Sequence, residues 1–122
     1  MVCIREDKIV INDYIEDDPL SEENLDKTLE TVNRFRLLFP NKSIWIYSGY
    51  QWNQIFDDGV YLTKDCDGWK RREIVKKCEV LIDGRYIDSQ RNVQAKWRGS
   101  NNQNVIDVKE SLKQGKVVLH CE

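Results

Sequence analysis

Histidine is nearly absent from this 122-residue chain: the only one is His120. A histidine-centred triad would have to work from the last few residues, where order is weakest, so that chemistry is set aside. No apolar run approaches the roughly 18 residues of a membrane span. Residues 1–11 carry Arg5, Glu6, Asp7 and Lys8 where a secretory leader would be apolar, so the expected compartment is the cytoplasm. Cysteines stand at 3, 66, 78 and 121, without CxxC or CxxxCxxC spacing, so the common zinc and iron–sulfur patterns are missing. In a reducing compartment they read as ordinary thiols, in preference to a zinc site of Cys66, Cys78, His120 and Cys121.

What is present describes a folded, water-soluble chain. It is 40% hydrophobic and 33% charged, with four Trp, five Tyr and three Phe, too aromatic for disorder throughout. The length suits one domain, residues 1–122. Net charge is −2, yet residues 1–30 hold ten acids against three bases, and the remainder eleven acids against sixteen bases. The acidic third reads as a partner-binding face or a solvated edge. The basic remainder is too mild to argue for nucleic acid.

Lys8–Asn12 reads as a strand. Leu25, Leu29, Val32, Phe35 and Leu38 fall on one face of a helix over Ser21–Phe39, with Ser21 as N-cap and Pro40 as stop. Ser43–Tyr47 is apolar and β-branched or aromatic, as in a strand covered on both faces, with Trp45 in the core. A short helix over Tyr50–Phe56, a loop over Asp57–Gly68 and a helix over Trp69–Cys78 follow, the last with Arg71, Arg72, Lys76 and Lys77 outward. Glu79–Asp83 reads as a strand, and Val105–Val108 and Lys116–Leu119 as short strands about a turn at Gln114-Gly115. The alternation implies an α/β fold, a small open parallel sheet flanked by helices. In such sheets ligands bind beyond the carboxyl ends of the strands. Those ends carry Ser48-Gly49-Tyr50 and Asp83-Gly84-Arg85, with Trp97-Arg98-Gly99-Ser100 as a third polar cluster.

These clusters allow two readings. Asp83 suits an ammonium or ribose hydroxyls, and Arg85 and Arg98 a carboxylate, which together describe a zwitterionic small molecule. Equally, Asp83-Gly84 ends a strand and Arg98 pairs on the surface. Glu16, Asp17 and Asp18 suit a divalent cation or an exposed acidic turn. Trp52, Trp69 and Trp97 mark either an interface or packing under loops.

Asp18–Leu20 (DPL), Phe39–Tyr50 (FPNKSIWIYSGY), Cys78–Ile87 (CEVLIDGRYI), Trp97–Val108 (WRGSNNQNVIDV) and Leu112–Leu119 (LKQGKVVL) resemble, in order and spacing, the anaerobic ribonucleotide reductase-activating proteins. These are small radical S-adenosylmethionine enzymes. The resemblance covers 18–119, leaving 1–17 as a diverged segment. It implies a partial radical-S-adenosylmethionine barrel, with Ser48, Asp83 and Arg98 at or near the cofactor edge. It also implies a 4Fe–4S cluster and a glycyl-radical reductase as partner. Two departures stand out. Cys3 lacks the two companions of a CxxxCxxC motif, and Glu16-Asp17-Asp18-Pro19 stands where the family has GGDP. Without three thiolates on one loop, no iron is offered to the sulfonium cofactor.

The expectation is therefore a catalytically inactive relative, a pseudoenzyme that binds a protein as an inhibitor or regulator, of the kind a phage or other mobile element carries. Its contacts would be Glu16, Asp17, Asp18, Trp52 and Trp69, its partner the reductase or an unrelated protein, with homodimerisation also open. No cofactor is expected. The alternatives are a working activase component with a cluster supplied elsewhere, and a remnant binding S-adenosylmethionine or a nucleoside without chemistry.

Overall fold

The computed structural model describes residues 2–11, 18–56, 66–94 and 97–120, and builds them around one open sheet. Its strands are β1 (Val2–Ile4), β2 (Lys8–Ile11), β3 (Ser43–Tyr47), β4 (Val80–Asp83) and β5 (Asn104–Asp107), lying side by side in chain order. The helices are α1 (Leu25–Leu38), α2 (Trp52–Ile55), α3 (Asp67–Lys76) and α4 (Val108–Gln114). The central pairs β2/β3 and β3/β4 are parallel, as expected. The outer pairs β1/β2 and β4/β5 are antiparallel, so the sheet is mixed rather than wholly parallel. Arg5–Asp7 is far too short for a parallel crossover, which needs a dozen or more residues, so β1 and β2 form a hairpin.

Alternation along the strands creates two faces. Ile9, Ile11, Ile44, Ile46 and Leu81 point to one side, where Leu25 and Val32 of α1 and Ile74 and Val75 of α3 cover them. Val10, Trp45, Val80, Ile82 and Val105 point to the other, where Tyr47 and Trp97 pack against them. Trp45 is core, 5% exposed.

Four local expectations change. Ser21 is the N-cap residue of a 3-10 turn, Glu22–Asn24, that precedes α1, and its side chain makes no cap bond; its hydroxyl donates instead to the Asp18 carbonyl (2.8 Å). The strand expected over Val105–Val108 ends at Asp107, whose carboxylate accepts the Glu110 N–H (3.0 Å) and starts α4. Gly115, at φ 70°, then ends α4 in the left-handed conformation that glycine adopts without strain. The expected strand Lys116–Leu119 reduces to a single bridge from Leu119 to Ile106.

The fourth change concerns Arg71 and Arg72, which are half-buried rather than outward. Arg71 donates to the Leu20 carbonyl (2.8 Å) and the Tyr50 hydroxyl (3.1 Å), and Arg72 to the Ile55 carbonyl (2.8 Å). They tie α3 to the loops beyond β2 and β3 and to the end of α2. Their spacing on a charged helix looked solvated because those carbonyls come from distant segments.

Candidate functional site

The carboxyl ends of β3 and β4 gather the polar groups. Ser48 continues the Ile44, Ile46 row and Asp83 follows Leu81, so both turn to the helix side. The Asp18 carboxylate accepts from Ser48 Oγ (2.9 Å), Gly49 N–H (2.7 Å) and Leu20 N–H (2.9 Å). Ser48 Oγ in turn accepts the Tyr50 N–H (3.0 Å). Asp18 is thus a brace closing the segment before α1 onto the end of β3. The approach to Gly49 is close: a Cβ would stand 3.1 Å from Asp18 Oδ2 and 3.0 Å from Arg85 Cγ, tighter than ordinary contact.

Asp83 is 3% exposed. Its Oδ2 accepts the Trp52 N–H (2.9 Å) at the start of α2, and its Oδ1 the Asn104 N–H (3.2 Å) at the start of β5. Burial pushes its carboxyl above the ordinary aspartate range, and the two backbone donors offset part of that rise.

Arg98 lies on the connection to β5. Its Nη1 donates to the carbonyls of Asn101 (3.2 Å) and Gln103 (3.1 Å). Gln103 is the hub of this loop: Nε2 donates to the Gly84 carbonyl (3.0 Å), while Oε1 accepts from Gly99 (2.8 Å) and Ser100 (3.1 Å). Asn102 Nδ2 donates to the Arg85 carbonyl (2.7 Å), and Ser100 Oγ accepts the Ile87 N–H (3.2 Å). The structure thus brings Ser48 and Asp18 into contact and joins Asp83 to the Trp52 backbone, while the bonds of Arg98 are within its own loop.

Trp52 is half-buried, its ring 4.3 Å from that of Phe56. Trp69 is half-buried in the first turn of α3, its N–H on Cys66 Sγ (3.4 Å). Glu16 and Asp17 lie outside the described residues. One cluster had no sequence signal. On the face opposite α1 and α3 the Lys8 ammonium sits 4.0 Å from the Trp45 ring centroid and 3.8 Å from that of Trp97, and His120 meets Trp45 edge-on at 5.0 Å. Trp97 adopts φ 73°, and its carbonyl accepts from the Tyr47 hydroxyl.

An iron–sulfur cluster needs several thiolates on one side of one cavity. Cys3 is exposed on edge strand β1, Cys66 is at the start of α3, and Cys78 is buried in the helix-side core with its thiol on the Ile74 carbonyl (3.3 Å). Burial pushes the Cys78 thiol up to about 12. It is therefore a neutral thiol at physiological pH, enclosed by apolar side chains. His120 lies on the opposite face of the sheet from Cys78. Among the described residues no three His, Cys, Asp or Glu side chains are grouped to hold a metal. These residues do not fit the cluster. Native-state alkylation at pH 8, read by peptide mass mapping, should label Cys3 within minutes and spare Cys78 until the chain is unfolded. Labelling of Cys78 at the rate of Cys3 would contradict this burial.

Among the described residues no helix is long and apolar enough to cross a membrane. A family model described as a 4Fe-4S single cluster domain matches residues 16–106. The anaerobic ribonucleoside-triphosphate reductase-activating protein of Escherichia coli K12 is 30% identical over 86 residues, 70% of this chain and 48% of the relative. The protein of the same name from Enterobacteria phage T4 is 33% identical over 88 residues, 70% of this chain and 46% of the relative. That of Vibrio cholerae is 30% identical over 86 residues, with 70% and 48% covered. The chain thus spans about half the length of the curated relatives it matches. No solved structure matches it. The match across 16–106 covers the parallel β3/β4 pairing and the polar strand ends, and the chain belongs to the 4Fe-4S single cluster domain family, with its similarity running to the reductase-activating proteins.

Proposed function

We propose that this chain acts without radical chemistry of its own, as a regulatory or inhibitory module that binds a protein, with the anaerobic ribonucleotide reductase as the first candidate. One observation carries the reading: among the described residues the three thiols, Cys3, Cys66 and Cys78, are dispersed over an edge strand, a helix start and a sealed core. The strand-end polar groups add support, because Ser48, Asp18 and Asp83 spend their bonds on the chain itself. In this reading Asp18, Ser48 and Asp83 position loops. Glu16 and Asp17, with half-buried Trp52 and Trp69, supply contacts to the partner.

The test is co-elution with the purified reductase under anaerobic conditions. The chain should shift into the reductase peak and change the yield of glycyl radical formed by a complete activase. Separate elution at tens of micromolar, with radical yield unchanged, would overturn the reductase reading.

A second reading, binding of S-adenosylmethionine or a nucleoside at Ser48, Asp83 and Arg98, is favoured by the position of Ser48 and Asp83 at adjacent strand ends beside Gly49. It predicts a thermal shift with millimolar S-adenosylmethionine, reduced by Asp83→Ala and Arg98→Ala. Absence of a shift in the parent chain disposes of it.

A further inference from the structure

We propose that the loops 84–94 and 97–103 form a docking rim for an acidic, extended segment of the partner, one carrying an apolar side chain between carboxylates. The proposal rests on the protein-binding reading above and names the chemistry of a second contact surface. The two loops make one platform. Arg91 bridges Ser100, Asn92 N–H donates to the Gly99 carbonyl (3.1 Å), and Asn101 N–H donates to the Gln90 carbonyl (2.9 Å). With the Gln103 and Asn102 bonds to Gly84 and Arg85, the platform is held from both ends. Docking on it would therefore cost little ordering entropy.

Charge and shape on that platform point to the occupant. Within the two loops Arg85, Arg91 and Arg98 stand against a single acid, Asp88, in a chain whose net charge is −2; the Arg85 stem also passes Gly49, beside the Asp18 carboxylate that Ser48, Gly49 and Leu20 already occupy. Among the described residues none of the three arginines has an ion pair. Arg98 donates to the neutral carbonyls of Asn101 and Gln103, and the Asp88 carboxylate accepts from the Tyr86 hydroxyl (3.1 Å). Beside these charges, Tyr86, Ile87 and Val93 are 50%, 39% and 78% exposed. The Tyr86 ring lies on Gly99, where a Cβ would come within 3.0 Å of Cδ1. Guanidinium groups interleaved with exposed apolar side chains complement carboxylates interleaved with apolar residues. A nucleic-acid strand fits less well, since Ile87 and Val93 would face phosphate and sugar.

The probe is a fluorescein-labelled ten-residue peptide of alternating Glu and Leu, with a Lys/Leu peptide and a single-stranded oligodeoxynucleotide as comparisons. The parent chain should bind the Glu/Leu peptide by anisotropy, more weakly as salt rises. The double variant Arg85→Glu/Arg91→Glu should weaken binding at least about tenfold with its thermal melt unchanged. Gly99→Ala should weaken it as well, by displacing Tyr86. No binding by the parent, equal binding by the double variant, or equal affinity for the Lys/Leu peptide or the oligonucleotide overturns the rim. Reductase co-elution separates the two ideas. Equal co-elution of parent and double variant overturns the rim and leaves protein binding standing. Peptide binding that depends on the arginines, without any co-elution, overturns the reductase as partner and supports the rim.

Discussion

Asp18→Ala should destabilise the fold by about 3 kcal/mol, because three donors lose a charged acceptor together. Ser48 Oγ, Gly49 N–H and Leu20 N–H all converge on this carboxylate. Ser48 is 5% exposed and cannot turn to bulk water for a replacement. Asp18→Asn keeps one oxygen but turns an amide N–H toward a donor, so it should recover less than half of the loss. Urea unfolding followed by tryptophan fluorescence measures both variants, and hydrogen exchange at the Gly49 amide locates the effect. A change below about 0.5 kcal/mol, the scale of an ordinary surface substitution, would show that the brace contributes nothing.

Asp83 should be the second sensitive position, and its signature is pH dependence. Asp83→Ala leaves the N–H groups of Trp52 and Asn104 without their acceptor in a buried corner, a loss of about 2–4 kcal/mol. Its folded-state value lies above the ordinary 3.8, so over the window between them the folded chain holds the proton that the unfolded chain has released. Stability from this group is therefore fully present below the ordinary value and falls as pH rises through the folded value. Relative to Asp83→Asn, which does not titrate, the parent chain should lose stability on going from pH 3.5 upward through that window. A parent-minus-variant difference that is flat, or that rises with pH, would contradict the buried placement of this carboxylate.

The legible parts of this fold are those written in local pattern. The β2 and β3 runs, the α1 periodicity and the β4 run all placed their elements within a few residues. β1 escaped because three residues, Val2–Ile4, carry no alternation long enough to read. The start of α4 escaped because V-I-D-V scores as apolar strand, while the decisive signal was Asp107 acting as a cap. At the site, the strand-end positions of Ser48 and Asp83 were legible, but their partners were not. Asp18 reaches Ser48 and Asp83 reaches Trp52 across long stretches of chain, and no spacing rule encodes such pairs. The Lys8–Trp45–Trp97 stack is a further case, since three segments must fold before the ammonium has a ring to face. Gln103 was unremarkable in sequence for the same reason, and its role as a hub appears only once Gly84 lies beside it.

Anaerobic reconstitution of the purified 122-residue chain with iron and sulfide tests the central claim most directly. The readouts are an iron count, the visible absorbance spectrum and a melt confirming a folded product. The dispersal of Cys3, Cys66 and Cys78, the last sealed in the core, predicts no stoichiometric iron and no charge-transfer absorbance on a cooperatively folded protein. About four irons per chain or per dimer, with cleavage of S-adenosylmethionine on reduction, would contradict it and return the chain to radical chemistry.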